Sequence, residues 1–143
     1  MNQDRLAQLI DWYQTLTPET LARLPEFYTD DARFVDPFND VTGHAAIAAI
    51  FRHMFATLQN PQFAVEASYS GNDGLMLRWQ FRFALRQRQY SIPGSSHLVL
   101  AADGRIASHV DYWDSAALYR QLPMVGGVFR WLTRRMATPN LAG

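Results

Sequence analysis

Residues 75–86 read LMLRWQFRFALR, and their alternation decides the fold class. Leu75, Leu77, Trp79, Phe81, Phe83 and Leu85 fall on one side of an extended chain, and Met76, Arg78, Gln80, Arg82, Ala84 and Arg86 on the other. The first side is apolar and the second mostly polar and cationic. A sustained period of two predicts a strand with one buried face. The flanks keep this period. Upstream, Phe63, Val65, Ala67 and Tyr69 alternate with Ala64, Glu66 and Ser68, and the GNDG at 71–74 supplies a turn. Downstream, residues 90–101 read as another strand, and Asp103-Gly104 turns it into 105–114. The second half of the chain is therefore expected to be a four-strand antiparallel meander.

The first half changes period. Leu6, Leu9, Ile10 and Tyr13 recur at helical spacing, which predicts an amphipathic helix over 3–16. Thr17-Pro18-Glu19 reads as a second helix start: a cap, a residue suited to the first turn, and an acid at the positive dipole end. That helix is short, ending near Phe27 or Tyr28. ARFVDPF is a brief strand stopped at Pro37, which has no N–H for a ladder. Thr42-Gly43 opens a third helix with the stripe Ile47, Ile50, Phe51, Met54 and Leu58, and QNP ends it. Beyond residue 114 a helical region is interrupted by Pro123 and Gly126-Gly127. Helices followed by a meander predict an α+β fold, a strongly curved mixed sheet wrapped against the N-terminal helices. Such a conical, barrel-like arrangement leaves an apolar cavity at its open end.

Composition narrows the function. The chain has 143 residues, 48% of them hydrophobic, which suits one domain over 1–143 with a real core. Thirteen basic residues balance thirteen acidic ones, which argues against nucleic acid as partner. No cysteine is present, so disulfides, thiol nucleophiles and cysteine zinc sites are excluded. The N-terminus lacks the apolar core of a signal peptide, and no apolar run approaches the ~18 residues that span a bilayer. A cytoplasmic protein is expected, with a basic amphipathic membrane-surface helix at the C-terminal end as the lesser alternative. MVGGVFRWLTRRM at 124–136 is amphipathic and basic; Val128, Phe129 and Leu132 are expected to close the cavity mouth or pack on a partner subunit.

The chemistry concentrates in SHVDYWD, residues 108–114. Alternation puts His109, Asp111 and Trp113 on one strand face. If that face lines the cavity, burial raises the pKa of a carboxylate there and a nearby imidazolium lowers it, so such a pair exchanges protons near neutrality. The competing reading is a structural ion pair at a sheet edge. The hairpin at Asp103-Gly104 sets the partner strand. A two-residue turn places Ser96 opposite Asp111, whereas a three-residue Ala102–Gly104 loop puts His97 on the Asp111 face. Asp36, before Pro37, is either a functional acid or a turn cap. His97 and His109 with Asp111 or Asp36 are conceivable as a two-histidine, one-carboxylate metal set, but no ligand motif supports a metal.

YTDDARFVDPFNDVTGHAAIAAIF, residues 28–51, together with the meander ending in HVDYWD, resembles the nuclear transport factor 2-like superfamily. It looks closest to the SnoaL-like and ketosteroid-isomerase-like branches, so a single SnoaL-like domain is implied. The resemblance implies a proton-shuttling role for Asp36, and acid/base work for Asp111 with His97 or His109 nearby. The isomerase oxyanion donors, a tyrosine and a protonated aspartate, align with Trp12 and Ser96. Phe38, Tyr69, Trp79 and Trp113 are the expected substrate walls. The reading is a small acid/base enzyme without cofactor or metal that isomerises, cyclises, dehydrates or hydrolyses (as an epoxide) an apolar oxygen-bearing metabolite. The alternative is a non-catalytic ligand-binding or dimerisation module. A homodimer through the sheet face of Arg78 and Arg82 is expected.

Overall fold

The structure, a computed structural model, describes residues 2–121, 126–127 and 134–135. It divides into two units, Met1–Trp113 and Asp114–Gly143. The first begins with α1 (Gln3–Gln14), capped by the Asn2 side chain, which accepts from Asp4 N. Its stripe buries Leu9, Trp12 and Tyr13. The Thr17 start is present, since Thr17 Oγ1 accepts from Thr20 N at 3.1 Å, but it caps a 3-10 turn over Thr20–Arg23 before the short α2 (Leu24–Phe27).

Strand β1 (Tyr28–Val35) starts earlier than expected and folds back into a short strand not foreseen, β2 (Asp40–Thr42). Helix α3 (His44–Thr57) follows. The meander comprises β3 (Gln59–Ser70), β4 (Gly74–Leu85), β5 (Arg88–Leu100) and β6 (Ile106–Trp113). The sheet order is β2-β1-β6-β5-β4-β3; β1 and β6 are parallel and every other pair is antiparallel. This is the expected α+β class with a mixed sheet, left open at β2 and β3. Trp12, Phe27, Ile47, Leu77, Trp79, Leu98 and Ile106 are fully buried between sheet and helices. Each fully buried aliphatic side chain of this kind contributes about 1.5–3 kcal/mol.

Two irregularities decide which side chains point inward. In β3 the register with β4 slips between Val65 and Ala67. One extra residue in a strand reverses the parity of everything beyond it. Phe63 and Val65 therefore face the core, while Tyr69 pairs with Met76 on the outer face and is 55% exposed. In β6 the register with β5 slips as well. Leu100 pairs with Ile106 and Gly104 takes φ +84°, as in the three-residue loop with a left-handed glycine. The bulge then adds a residue, Val99 pairs with Ser108, and Ser96 comes to lie opposite Asp111. The loop matches one of the two expected turns and the register matches the other.

The second unit contains α4 (Ser115–Gln121), capped by Asp114 Oδ1, which accepts from Ala116 N at 2.9 Å. The apolar positions Val128, Phe129 and Leu132 of the expected closing segment lie outside the described residues.

Candidate active site

Asp111 is the centre of a buried polar chain on the inner face of the sheet. Its Oδ1 lies 2.5 Å from Ser96 Oγ, which donates to it, and 2.6 Å from His109 Nε2. Trp79 Nε1 donates to Ser96 Oγ at 2.9 Å, and the Tyr28 hydroxyl lies 2.7 Å from His109 Nδ1. Four of the five groups come from three adjacent strands. β4 supplies Trp79, β5 Ser96 and β6 both His109 and Asp111, while Tyr28 opens β1, parallel to β6. Ser96, His109 and Asp111 are among the few buried polar side chains. Burial makes each bond costly to lose, because an unpaired polar group gains no water in its place.

Gly94 makes room for this arrangement. A Cβ on Gly94 would lie 2.3 Å from Trp79 Cη2 and 2.5 Å from its Cζ3. Only glycine lets the indole lie flat on β5 and reach Ser96.

Two tyrosines complete the site, and the sequence reading passed over both in this role. Tyr13 of α1 is buried, edge-on to His109 with ring centroids 6.1 Å apart and stacked on Phe63 at 4.5 Å. Its hydroxyl is a buried polar atom without a hydrogen-bond partner. Burial, and then the Asp111 charge, push the Tyr13 phenol well above its usual value; the neighbouring Ser96 hydroxyl opposes this slightly without reaching normal hydrogen-bond geometry. Burial and Asp111 likewise push up Tyr28. Both therefore stay protonated and able to donate. A small cavity of about 10 Å³ lies between Tyr13, Tyr28 and His109, walled by Leu9, Leu77, Leu98 and Ile106. The available signal was a tyrosine inside an apolar helix stripe, since a buried phenol needs a partner.

Other expected site residues are elsewhere. His97 lies across from Val110 and Met76 on the outer face, with Nε2 3.7 Å from Asp73 Oδ1. It does not converge with His109 and Asp111, because the β6 bulge gave the inner position to Ser96. Tyr69 is turned outward by the β3 bulge. Trp12 spends its indole N–H on Thr20 O at 3.0 Å and stacks on Phe27 at 4.7 Å, so it is a core residue rather than a free donor. Asp36 closes the β1–β2 turn: its Oδ1 accepts from Phe38 N at 2.8 Å and Asn39 N at 2.7 Å, and Asn39 Nδ2 adds a third donor. None of its hydrogen bonds reaches the Asp111 chain. Phe38 is 59% exposed and meets Trp113 edge-on at 5.6 Å.

The chain belongs to the SnoaL-like domain family, which it matches over residues 9–109. Among solved structures it is similar to a protein of ketosteroid-isomerase-like fold from Catenulispora acidiphila in complex with trimethylamine: 17% identity, 86% of this chain and 96% of that one, TM-score 0.71. A nuclear transport factor 2-like protein of unknown function from Burkholderia pseudomallei is 16% identical over 83% of this chain and 97% of that one, TM-score 0.72. TerC, co-crystallised with polyporic acid, is 15% identical over 80% of this chain and 92% of that one, TM-score 0.69. At these identities the likeness establishes the conical fold. No curated protein sequence matches the chain significantly.

Proposed function

We propose that this protein is a small, single-domain acid/base enzyme of cyclase, isomerase, dehydratase or epoxide-hydrolase type. It acts without cofactor on an apolar, oxygen-bearing small molecule. The observation that carries the reading is the Asp111 carboxylate, buried beside an unpartnered Tyr13 hydroxyl. Asp111 takes or returns the substrate proton, and Tyr13 donates to the substrate oxygen as charge develops there. Of the branches the sequence resembles, the cyclase-like one fits best, because its acid/base group is the aspartate of the last strand. Small organic molecules in the trimethylamine and polyporic acid complexes of the two similar structures support a small-molecule ligand here. The protein acts in the cytoplasm; no helix among the described residues is long and apolar enough to cross a membrane.

Ligand identification by native mass spectrometry on protein from its source supplies the assay. Asp111→Asn keeps the shape but removes the exchangeable proton, and should lower turnover about 100-fold or more. Tyr13→Phe should lower kcat more than it changes KM. Asp36→Asn discriminates the isomerase-like mechanism, in which Asp36 is the shuttle, from the present one, in which it caps a turn. The non-catalytic binding module is favoured by the engagement of Asp36 and Trp12 in local structure. A ligand bound unchanged, with Asp111→Asn affecting no conversion, would establish that alternative.

A further inference from the structure

We infer that Tyr28 is a positioning residue for Asp111: it orders the protons of the buried chain so that Oδ1 is filled by two donors and Oδ2 alone is left to exchange a proton with substrate. The role rests on the acid/base reading of Asp111, but the proton order follows from the geometry.

At one end the direction is set by chemistry. An indole nitrogen only donates. Ser96 Oγ therefore accepts from Trp79, and its single proton goes to Asp111 Oδ1, 2.5 Å away. At the other end the direction is set by burial. The Tyr28 hydroxyl has one partner, His109 Nδ1, and its residue has no solvent exposure. If Tyr28 accepted from an Nδ1–H, its own proton would be buried without an acceptor, at a cost of about 1–3 kcal/mol. The adjacent cavity of about 10 Å³ has mainly aliphatic walls and is at the lower limit for a water. Tyr28 therefore donates, and burial keeps it a phenol. Nδ1 is then an acceptor, and the imidazole proton sits on Nε2, aimed at Asp111 Oδ1 at 2.6 Å. The titratable groups facing His109 are Tyr13 from α1, Tyr28 from β1 and Asp111 from β6. β4 and β5 bring Leu77, Leu98 and Ser96. Asp111 Oδ2 has no hydrogen bond to any described residue, so the two carboxylate oxygens are inequivalent.

Nitrogen NMR of the full chain, labelled at histidine, reads this order without any substrate. At neutral pH His109 should carry its proton on Nε2, with Nδ1 unprotonated and hydrogen-bonded. Tyr28→Phe should move the Nδ1 resonance towards that of an unbonded nitrogen. It should also speed exchange of the Nε2 proton about tenfold, as the ring loses one of its two anchors. Leu98→Ala removes packing beside the ring without touching its nitrogens, and should leave Nδ1 in place. A proton on Nδ1 in the wild type overturns the proposal, and that measurement stands even if Tyr28→Phe fails to fold. So does an Nδ1 resonance that Tyr28→Phe leaves unmoved. A turnover unaffected by Asp111→Asn, with the proton order as described, removes the acid/base reading instead.

Discussion

Asp111 and its neighbours behave as one unit, because each hydrogen bond in the chain fixes the direction of the next. Ser96 is the joint between Trp79 and Asp111. Ser96→Ala strips one donor from a buried carboxylate and leaves the Trp79 N–H unpaired. The variant should be destabilised by about 1.5–3 kcal/mol, measured as a lower urea midpoint with unchanged slope. A loss within the few tenths typical of surface changes would mean that the chain is not coupled. The tyrosines make a pH prediction. Tyr13 and Tyr28 are raised above 10 in the folded protein by burial and by Asp111. A phenol raised on folding holds its proton longer in the native state than in the unfolded one. Its contribution to stability is complete below about pH 10 and is lost as pH rises through the folded values. The urea midpoint should therefore fall above pH 10, and the phenolate absorbance of these two side chains should appear only with unfolding. Ionisation of all six tyrosines while the protein remains folded would contradict this.

At the scale of elements, the bulges matter more than the strands. The β3 slip sends Tyr69 outward, and the β6 slip delivers Ser96 rather than His97 to Asp111. The β4–β5 hairpin has its own irregularity. Its two turn residues, Arg86 and Gln87, have φ of 49° and 65°, the left-handed pair that a tight two-residue hairpin demands. Neither side chain suits that region, where a non-glycine residue costs roughly 1–2 kcal/mol. Gln87→Gly should stabilise the protein by about 0.5–1 kcal/mol, after the entropy glycine adds to the unfolded chain. A lower urea midpoint would show that the turn is held by something other than its backbone preference.

For the whole molecule, the outer face of the sheet is the next surface to explain. It carries Tyr69 and Tyr112, two of the three exposed large apolar side chains among the described residues, beside the Arg78–Glu66 pair at 3.3 Å. Mixed signs on a partly aromatic face suit a self-complementary contact, in which each arginine meets the other copy's acid. We propose that two copies pair through this face. Light scattering at micromolar concentration should give a dimer mass, and Tyr112→Arg should give a monomer. A monomeric wild type would leave the two tyrosines without this role.

The sequence by itself determined the α+β class, the meander, the positions of α1 and α3, and the placement of His109 and Asp111 on one strand face. Local periodicity, capping and turn chemistry act within a few residues and are written in the chain. It did not determine the direction of Tyr69 or the choice between Ser96 and His97, because each depends on one extra residue in a strand. The stretch Val65–Tyr69 alternates without a break, and only pairing against β4 reveals the slip at Glu66. Asp36 had two readings, and its three backbone and amide donors in the β1–β2 turn became visible only once β2 had formed. Tyr13 read as part of a helix stripe and Tyr28 only as the end of the second helix; both are buried in the core. Tertiary packing alone brought the Tyr28 hydroxyl to His109, 81 residues away, and left that of Tyr13 without a partner. A strand's period states which residues share a face; where a phenol's one polar atom ends up is decided by the neighbours that close around it.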